Sequence, residues 1–128
     1  MARLANTVSI AVLEIFEVVF FQTRQGKQPV LEWLRALSKD EKVVIGADLR
    51  TVQFGFPIGM PICRALGRGL YEVRSRLPTK REARLIFFQS KGDLVIVAGF
   101  IKKTQATPRS EIEAAMKRRF EYEAYERS

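Results

Sequence analysis

The chain has 128 residues, 47% hydrophobic and 28% charged, a size and balance that fit one domain around one apolar core. Its 22 basic residues outnumber 14 acidic ones, a formal net charge of +8, so the expected partner is a polyanion. With no histidine and a single cysteine, Cys63, the sequence excludes histidine-based triads, histidine zinc sites, the paired histidines of many ribonucleases and any internal disulfide.

The run from Val8 to Phe21 is apolar, but Glu14 and Glu17 interrupt it. It is also shorter than the roughly 20 apolar residues that a membrane span needs. It reads as a buried strand over residues 14–22 behind a loose leader, and the protein is expected in the cytoplasm with no membrane partner. Residues 23–28 are polar and contain Gly26, a loop. Pro29 can open a helix that places Val30, Leu34 and Leu37 on one face with Trp33 beside them. Ser38 and Glu41 have the spacing of a capping box, so a second helix follows, ending at Gly55. Its expected buried residues are Val44, Ala47, Thr51 and Phe54, with Val43 beside them.

Residues 56–69 are rich in proline and glycine and read as an irregular connection. From Leu70 to Leu77 the pattern alternates, with Leu70, Glu72, Arg74 and Arg76 on one face and Tyr71, Val73, Ser75 and Leu77 on the other. Residues 78–82 form a basic loop, 83–89 a second strand and 90–93 a tight turn. The nearly unbroken apolar run 94–101 fits a central strand covered on both faces. Thr107 and Pro108 mark the start of a last helix, as N-cap and first helical residue, with Ile112, Ala115, Met116 and Phe120 as its apolar stripe. The order β-α-α-β-β-β-α predicts an α+β fold: a mostly antiparallel sheet with an N-terminal strand, a helical hairpin, a three-strand meander and a C-terminal helix, in a single domain.

The positive charge is concentrated. Residues 64–84 hold seven basic and two acidic side chains, and residues 102–119 hold six basic and two acidic, so these two segments carry the whole excess. Arg74, Arg84 and Lys102 fall where the meander could present them on one sheet face, which suggests a phosphate site. Arginine suits such a site because its planar fork binds phosphate in a bidentate way and stays charged. Basic residues that discourage edge-to-edge aggregation are the alternative explanation.

The run Leu66-Gly67-Arg68-Gly69-Leu70-Tyr71-Glu72-Val73-Arg74 resembles the L-x-x-G-L-Y-E-x-R strand of HigB-like toxins in the RelE/ParE superfamily. The run from Ile96 through Gly99-Phe100-Ile101-Lys102-Lys103-Thr104 to Pro108 is similar to that branch's hydrophobic strand, G-F-x-K-K-T and following proline. Glu111-Ile112 and Ala114-Ala115 match the helix after it, and the resemblance covers about residues 14–122.

It implies a phage-related toxin of a type II toxin–antitoxin module, an endoribonuclease that cuts messenger RNA on the ribosome and is restrained by a helix-turn-helix antitoxin. Matched residue by residue, Arg74, Arg84, Lys102 and Lys103 become the expected catalytic cations. Arg64, Arg68, Arg76, Lys80, Arg81, Lys117 and Arg118 become the expected RNA-binding surface. Tyr71 and Phe100 match motif aromatics and also suit the core. Some ribosome-dependent relatives carry histidine or a C-terminal tyrosine near the cut site. Histidine is absent here, and nothing in the sequence places Tyr122 or Tyr125 near a scissile bond.

Cations alone can stabilise the charge that builds when a 2′-hydroxyl attacks the adjacent phosphorus, so no metal and no cofactor is expected. A lysine crowded by arginines is a candidate base. Asp48 and Asp93 are better explained by a helix surface and a turn. ParE-type members share the fold but inhibit DNA gyrase, so a non-nuclease toxin is the alternative, with a non-toxic basic nucleic-acid-binding protein as a third reading.

Overall fold

A computed structural model describes residues 15–127, so the expected leader lies outside the described residues. In chain order the elements are β1 (Glu17–Phe20), α1 (Pro29–Arg35), α2 (Lys39–Gly55), β2 (Cys63–Gly67), β3 (Leu70–Arg76), β4 (Glu82–Ser90), β5 (Asp93–Ile101) and α3 (Arg109–Arg127). The strands form one sheet in the order β1-β5-β4-β3-β2, with β1 parallel to β5 and every other pairing antiparallel. The architecture is α+β, as the sequence predicts.

Because strand side chains alternate between faces, the sheet separates two cores. On one face Val73, Leu85, Phe87, Leu94 and Ile96 pack under Val30 and Leu34 of α1 and Ile45 and Val52 of α2. On the other, Leu70, Ile86, Phe88, Val95, Val97 and Phe100 pack against Ala115 of α3. The β5 run Leu94 to Ala98 is buried throughout, as expected of a strand with neighbours on both sides and helices on both faces. Gly99 is needed for the close approach of α1, since a Cβ there would lie 2.9 Å from the Trp33 ring.

Several local expectations are corrected. Within the connection expected over residues 56–69, residues 63–67 pair with β3 as an edge strand. It is short, poor in β-branched residues and flanked by Pro61 and Gly67, so its pairing is carried by backbone rather than side chains. The first strand is shorter than expected, Glu17–Phe20.

The capping box at Ser38 and Glu41 is present and the expected Val44 packs against the core, but the rest of the buried face of α2 differs from the one expected. Glu41, Ile45 and Val52 are buried, whereas Ala47 and Thr51 are exposed and Val43 and Phe54 are 63% and 61% exposed. The core-facing side carries Ile45, Leu49 and Val52, a more apolar row than the expected one, and Glu41 lies on that same side. Its buried carboxylate accepts hydrogen bonds from the Arg81 guanidinium and the Thr79 hydroxyl in the β3–β4 loop, which ties the start of the helix to that loop.

At the other end of the chain, α3 begins at Arg109 rather than Pro108, and Phe120 is 67% exposed instead of joining the buried stripe. The sheet-facing row continues from Ala115 through Arg118 and Arg119 to Tyr122. Arg118 donates to the Val97 carbonyl and lies over Phe21, Arg119 lies over Phe88, and Tyr122 meets Phe88 edge to face.

The Glu41 contacts predict an acid response. The Arg81 guanidinium, with the Ser38 and Thr79 hydrogen bonds, outweighs burial and lowers the Glu41 carboxyl from 4.5 to about 2. A depressed folded-state pKa contributes stability that is complete above the unfolded value and is lost as pH falls through the folded one. Glu41→Gln keeps a capping side chain without the charge. The Tm gap between wild type and Glu41→Gln is therefore full above about pH 5 and closes as pH falls from 4.5 to about 2. Thermal melts across that range check it, and a gap independent of pH contradicts it.

Candidate nucleic-acid interface

The face of β3 that looks towards α3 carries Glu72, Arg74 and Arg76, and antiparallel pairing sets Arg74 directly across from Arg84 of β4. Two like charges facing each other across a pair of strands repel unless counter-charges lie between them. Glu72 and Glu82 supply these. Glu72 Oε1 accepts from Arg74 Nε at 3.2 Å and lies 3.8 Å from Arg84 Nη1, while its Oε2 accepts from the Thr107 hydroxyl at 2.6 Å. Arg84 donates from Nε to Glu82 Oε2 at 2.9 Å and from Nη1 to the Gln105 carbonyl at 3.3 Å. Glu72 is 0% and Arg84 1% exposed, so this network is internal. It fastens the segment between β5 and α3 to the sheet at Gln105 and Thr107, and the Lys102 amide, donating to the Glu82 carbonyl at 2.8 Å, fastens its start.

Beside the network, the ends of β3, β4 and β5 enclose a groove of about 850 Å3 lined by Arg76, Lys80, Arg81, Glu82, Ile101, Lys102 and Lys103. Five of these seven residues are cationic and one is acidic, so the local field is strongly positive. Lys80, with φ of +65°, turns the chain between β3 and β4, while the contacts from Thr79 and Arg81 to Glu41 hold that loop against α2. Arg74 lies two residues along the same face of β3 from Arg76, roughly 7 Å by strand rise. It is partly exposed, and its terminal nitrogens make no hydrogen bond among the described residues, so it retains donors for an incoming anion.

The expected site residues thus divide into three groups. Lys102, Lys103, Arg76, Lys80 and Arg81 line the groove, and Arg74 adjoins it. Arg84 lies beneath, enclosed and committed to protein partners, so it presents no surface to a phosphate. Arg68 sits in the turn before β3, roughly 20 Å from the groove by strand rise. There the Arg119 guanidinium rests against Gly69 and donates to the Arg68 carbonyl at 2.7 Å. Arg118 is engaged by Val97 and Phe21, Lys117 is exposed along α3, and Arg64 is exposed on the edge strand.

The aromatic residues of the two motifs are core. Tyr71 packs with Phe56 and Phe87 on the helical-hairpin face, and Phe100 packs under α3. Tyr122 lies against Phe88, which is paired with Leu70 at the end of β3 opposite the groove. Burial pushes the Cys63 thiol up to about 11, which makes it unreactive.

Sequence reasoning placed Glu72 on the same face as Arg74 but did not assign it a function, and it passed over Gln105. Alternation alone puts Glu72 between Leu70 and Arg74, facing inward, where a buried carboxylate requires a cation. Gln105 contributes a backbone carbonyl, for which the sequence carries no signal.

Removing one partner of a buried charge pair leaves the other uncompensated, at a cost of about 3–5 kcal/mol. Glu72→Ala and Arg84→Met are each expected to destabilise the fold by that order, while Arg76→Ala and Lys103→Ala, at exposed positions, are expected to stay within about 0.5 kcal/mol of wild type. Urea unfolding of the four variants decides it, and equal stability of all four would contradict a buried network.

Among the described residues, no helix is long and apolar enough to cross a membrane. No curated protein matches the chain. The sequence profile of the family described as "Phage derived protein Gp49-like (DUF891)" matches residues 32–120. That span takes in the second half of α1, all of α2, the whole meander, the buried Glu72–Arg84 network, every groove residue and most of α3. The chain therefore belongs to the phage-derived Gp49-like family.

Proposed function

We propose that the protein is the toxin of a type II toxin–antitoxin module and acts as an endoribonuclease on messenger RNA at the ribosome, in the cytoplasm, restrained by a helix-turn-helix antitoxin. One observation carries the reading: the cations of two separate chain segments meet around a single groove containing one carboxylate, with the half-free Arg74 beside it. The family membership and the motif resemblance agree with it.

A polyanionic strand entering this groove would meet phosphate donors from β3, from the β3–β4 loop and from the segment after β5. RNA supplies its own nucleophile, the 2′-hydroxyl. What remains for the protein is to hold the strand in line and to stabilise the charge that accumulates on phosphorus and the leaving oxygen. Arg74, Arg76, Lys102 and Lys103 suit that task without a metal, and one well-placed donor is worth about 10²–10³ in rate. The lining includes no aromatic ring on which a base could stack, so the groove favours backbone over base recognition.

Induction without an antitoxin is expected to stop growth and to leave discrete cuts within translated messages, mapped by primer extension. Arg74→Ala and Lys102→Ala should each reduce ribosome-dependent cleavage about 10²-fold while remaining folded. Arg50→Ala, on the exposed side of α2, should cut normally. RNA binding should weaken with salt by roughly 0.7 in log K per log salt for each phosphate engaged. Intact messages with DNA damage would instead indicate a gyrase poison, and unimpaired growth with abundant folded protein would remove the toxin reading. Full cutting by both Arg74→Ala and Lys102→Ala would place the active site elsewhere.

A further inference from the structure

We propose that Glu72 and Arg84 form a buried positioning pair that sets the Lys102–Lys103 wall of the groove, and that Arg84 acts on RNA only through those lysines. The inference rests on the groove being the RNA-binding surface, and it gives Arg84, expected from the sequence to be a catalytic cation, a different task from phosphate contact.

The geometry supports this in three steps. Arg84 is 1% exposed and spends Nε on Glu82 and Nη1 on the Gln105 carbonyl, with Glu72 on its remaining side. A guanidinium enclosed in this way cannot reach a strand lying in the groove. Its partners, however, control the groove. Glu82 is itself a lining residue, and its carbonyl takes the Lys102 amide.

Gln105 and Thr107 are the downstream points at which residues 102–107 meet the sheet, the first through Arg84 and the second through Glu72. Lys102 and Lys103 lie between the Lys102 amide and these anchors, in a stretch without regular secondary structure. Among the described residues no other hydrogen bond ties Gln105 or Thr107 to the sheet, and without these two anchors two long flexible side chains would lose the order that lets them converge on an anion.

Arginine is suited to this task because a single planar fork can address Glu82 and Gln105 at once, with Glu72 alongside. Lysine keeps the charge but not the fork. The same network leaves Arg74 in a different position. Glu72 takes only its Nε, which aims the guanidinium and leaves its outer nitrogens to a ligand.

The test combines local order with a double-mutant cycle on the full-length protein. Arg84→Lys and Glu72→Gln preserve charge or shape, and Thr107→Val removes only the hydroxyl bond at the rim, so at least one variant remains available should the buried changes fail to fold. Hydrogen exchange should speed up in residues 102–107 in each folded variant, with β4 and β5 protected as in wild type. Binding of a short fluorescein-labelled oligouridylate, followed by anisotropy, should weaken roughly fivefold or more in Arg84→Lys. In a Lys102→Ala, Lys103→Ala background, Arg84→Lys should cause no further loss, because the residues through which it acts are gone.

Unchanged exchange over 102–107 would overturn the positioning role, and additive losses in the cycle would make Arg84 a phosphate contact in its own right. Normal oligouridylate binding by the Lys102→Ala, Lys103→Ala protein would count against the groove as the RNA surface, whereas the exchange data still decide whether the pair orders the segment.

Discussion

A carboxylate and a guanidinium buried within the sheet, Glu72 and Arg84, determine how the basic half of this protein is arranged. Charges removed from water persist only when each finds partners, and these two find them in separate parts of the chain. Glu72 reaches Arg74 on its own strand and Thr107 before α3, and Arg84 reaches Glu82 on its own strand and the Gln105 carbonyl. The sheet is thereby joined to the segment that leads into α3. A hydrophobic pair in the same place would bury more apolar surface but would leave Gln105 and Thr107 without their anchors. The network therefore makes more physical sense as a means of fixing geometry than as a source of net stability.

A second carboxylate performs the corresponding task on the other side of the groove. Glu41, in the first turn of α2, holds Thr79 and Arg81, so the β3–β4 loop and the helical hairpin are fixed to one another. The groove is bounded by two irregular segments, each tied by a buried acid to a regular element. Flexible basic loops would lose conformational freedom on binding a strand, and fixing them in advance lowers that cost. The far end of the sheet shows the contrast: there Arg118 and Arg119 fasten α3 by lying over Phe21 and Phe88 and bonding to main-chain carbonyls, which consumes their charge in packing.

Much of this was legible in the residues. Strand alternation around Leu70–Arg76 assigns each side chain to its face, the apolar run before Lys102 marks the central strand, and the Ser38–Glu41 box starts α2 within the expected turn. Clustering of charge also pointed to the region of the groove. What the sequence could not convey is which basic residue is free. Arg74 and Arg84 look equivalent along the chain and face each other in the sheet, yet one adjoins solvent and the other is enclosed by the return of residues 102–107, a long-range contact with no local signature. The face of α2 was also misjudged. Val43 and Phe54 were expected in the core and Glu41 only as a cap, whereas the more apolar row of Ile45, Leu49 and Val52 is buried and Glu41, on the same side, pairs with the distant Arg81.

The most direct test of the groove as the RNA site is an NMR titration with a short single-stranded RNA whose 2′-hydroxyls are methylated to prevent cutting. The arrangement predicts that shifts cluster on Arg74, Arg76, Lys80, Arg81, Lys102 and Lys103, with Arg68 in the far turn and Lys117 on the exposed side of α3 unmoved. Shifts centred on Arg68, Lys117 and the outer face of α3, or none at saturating RNA, would contradict it.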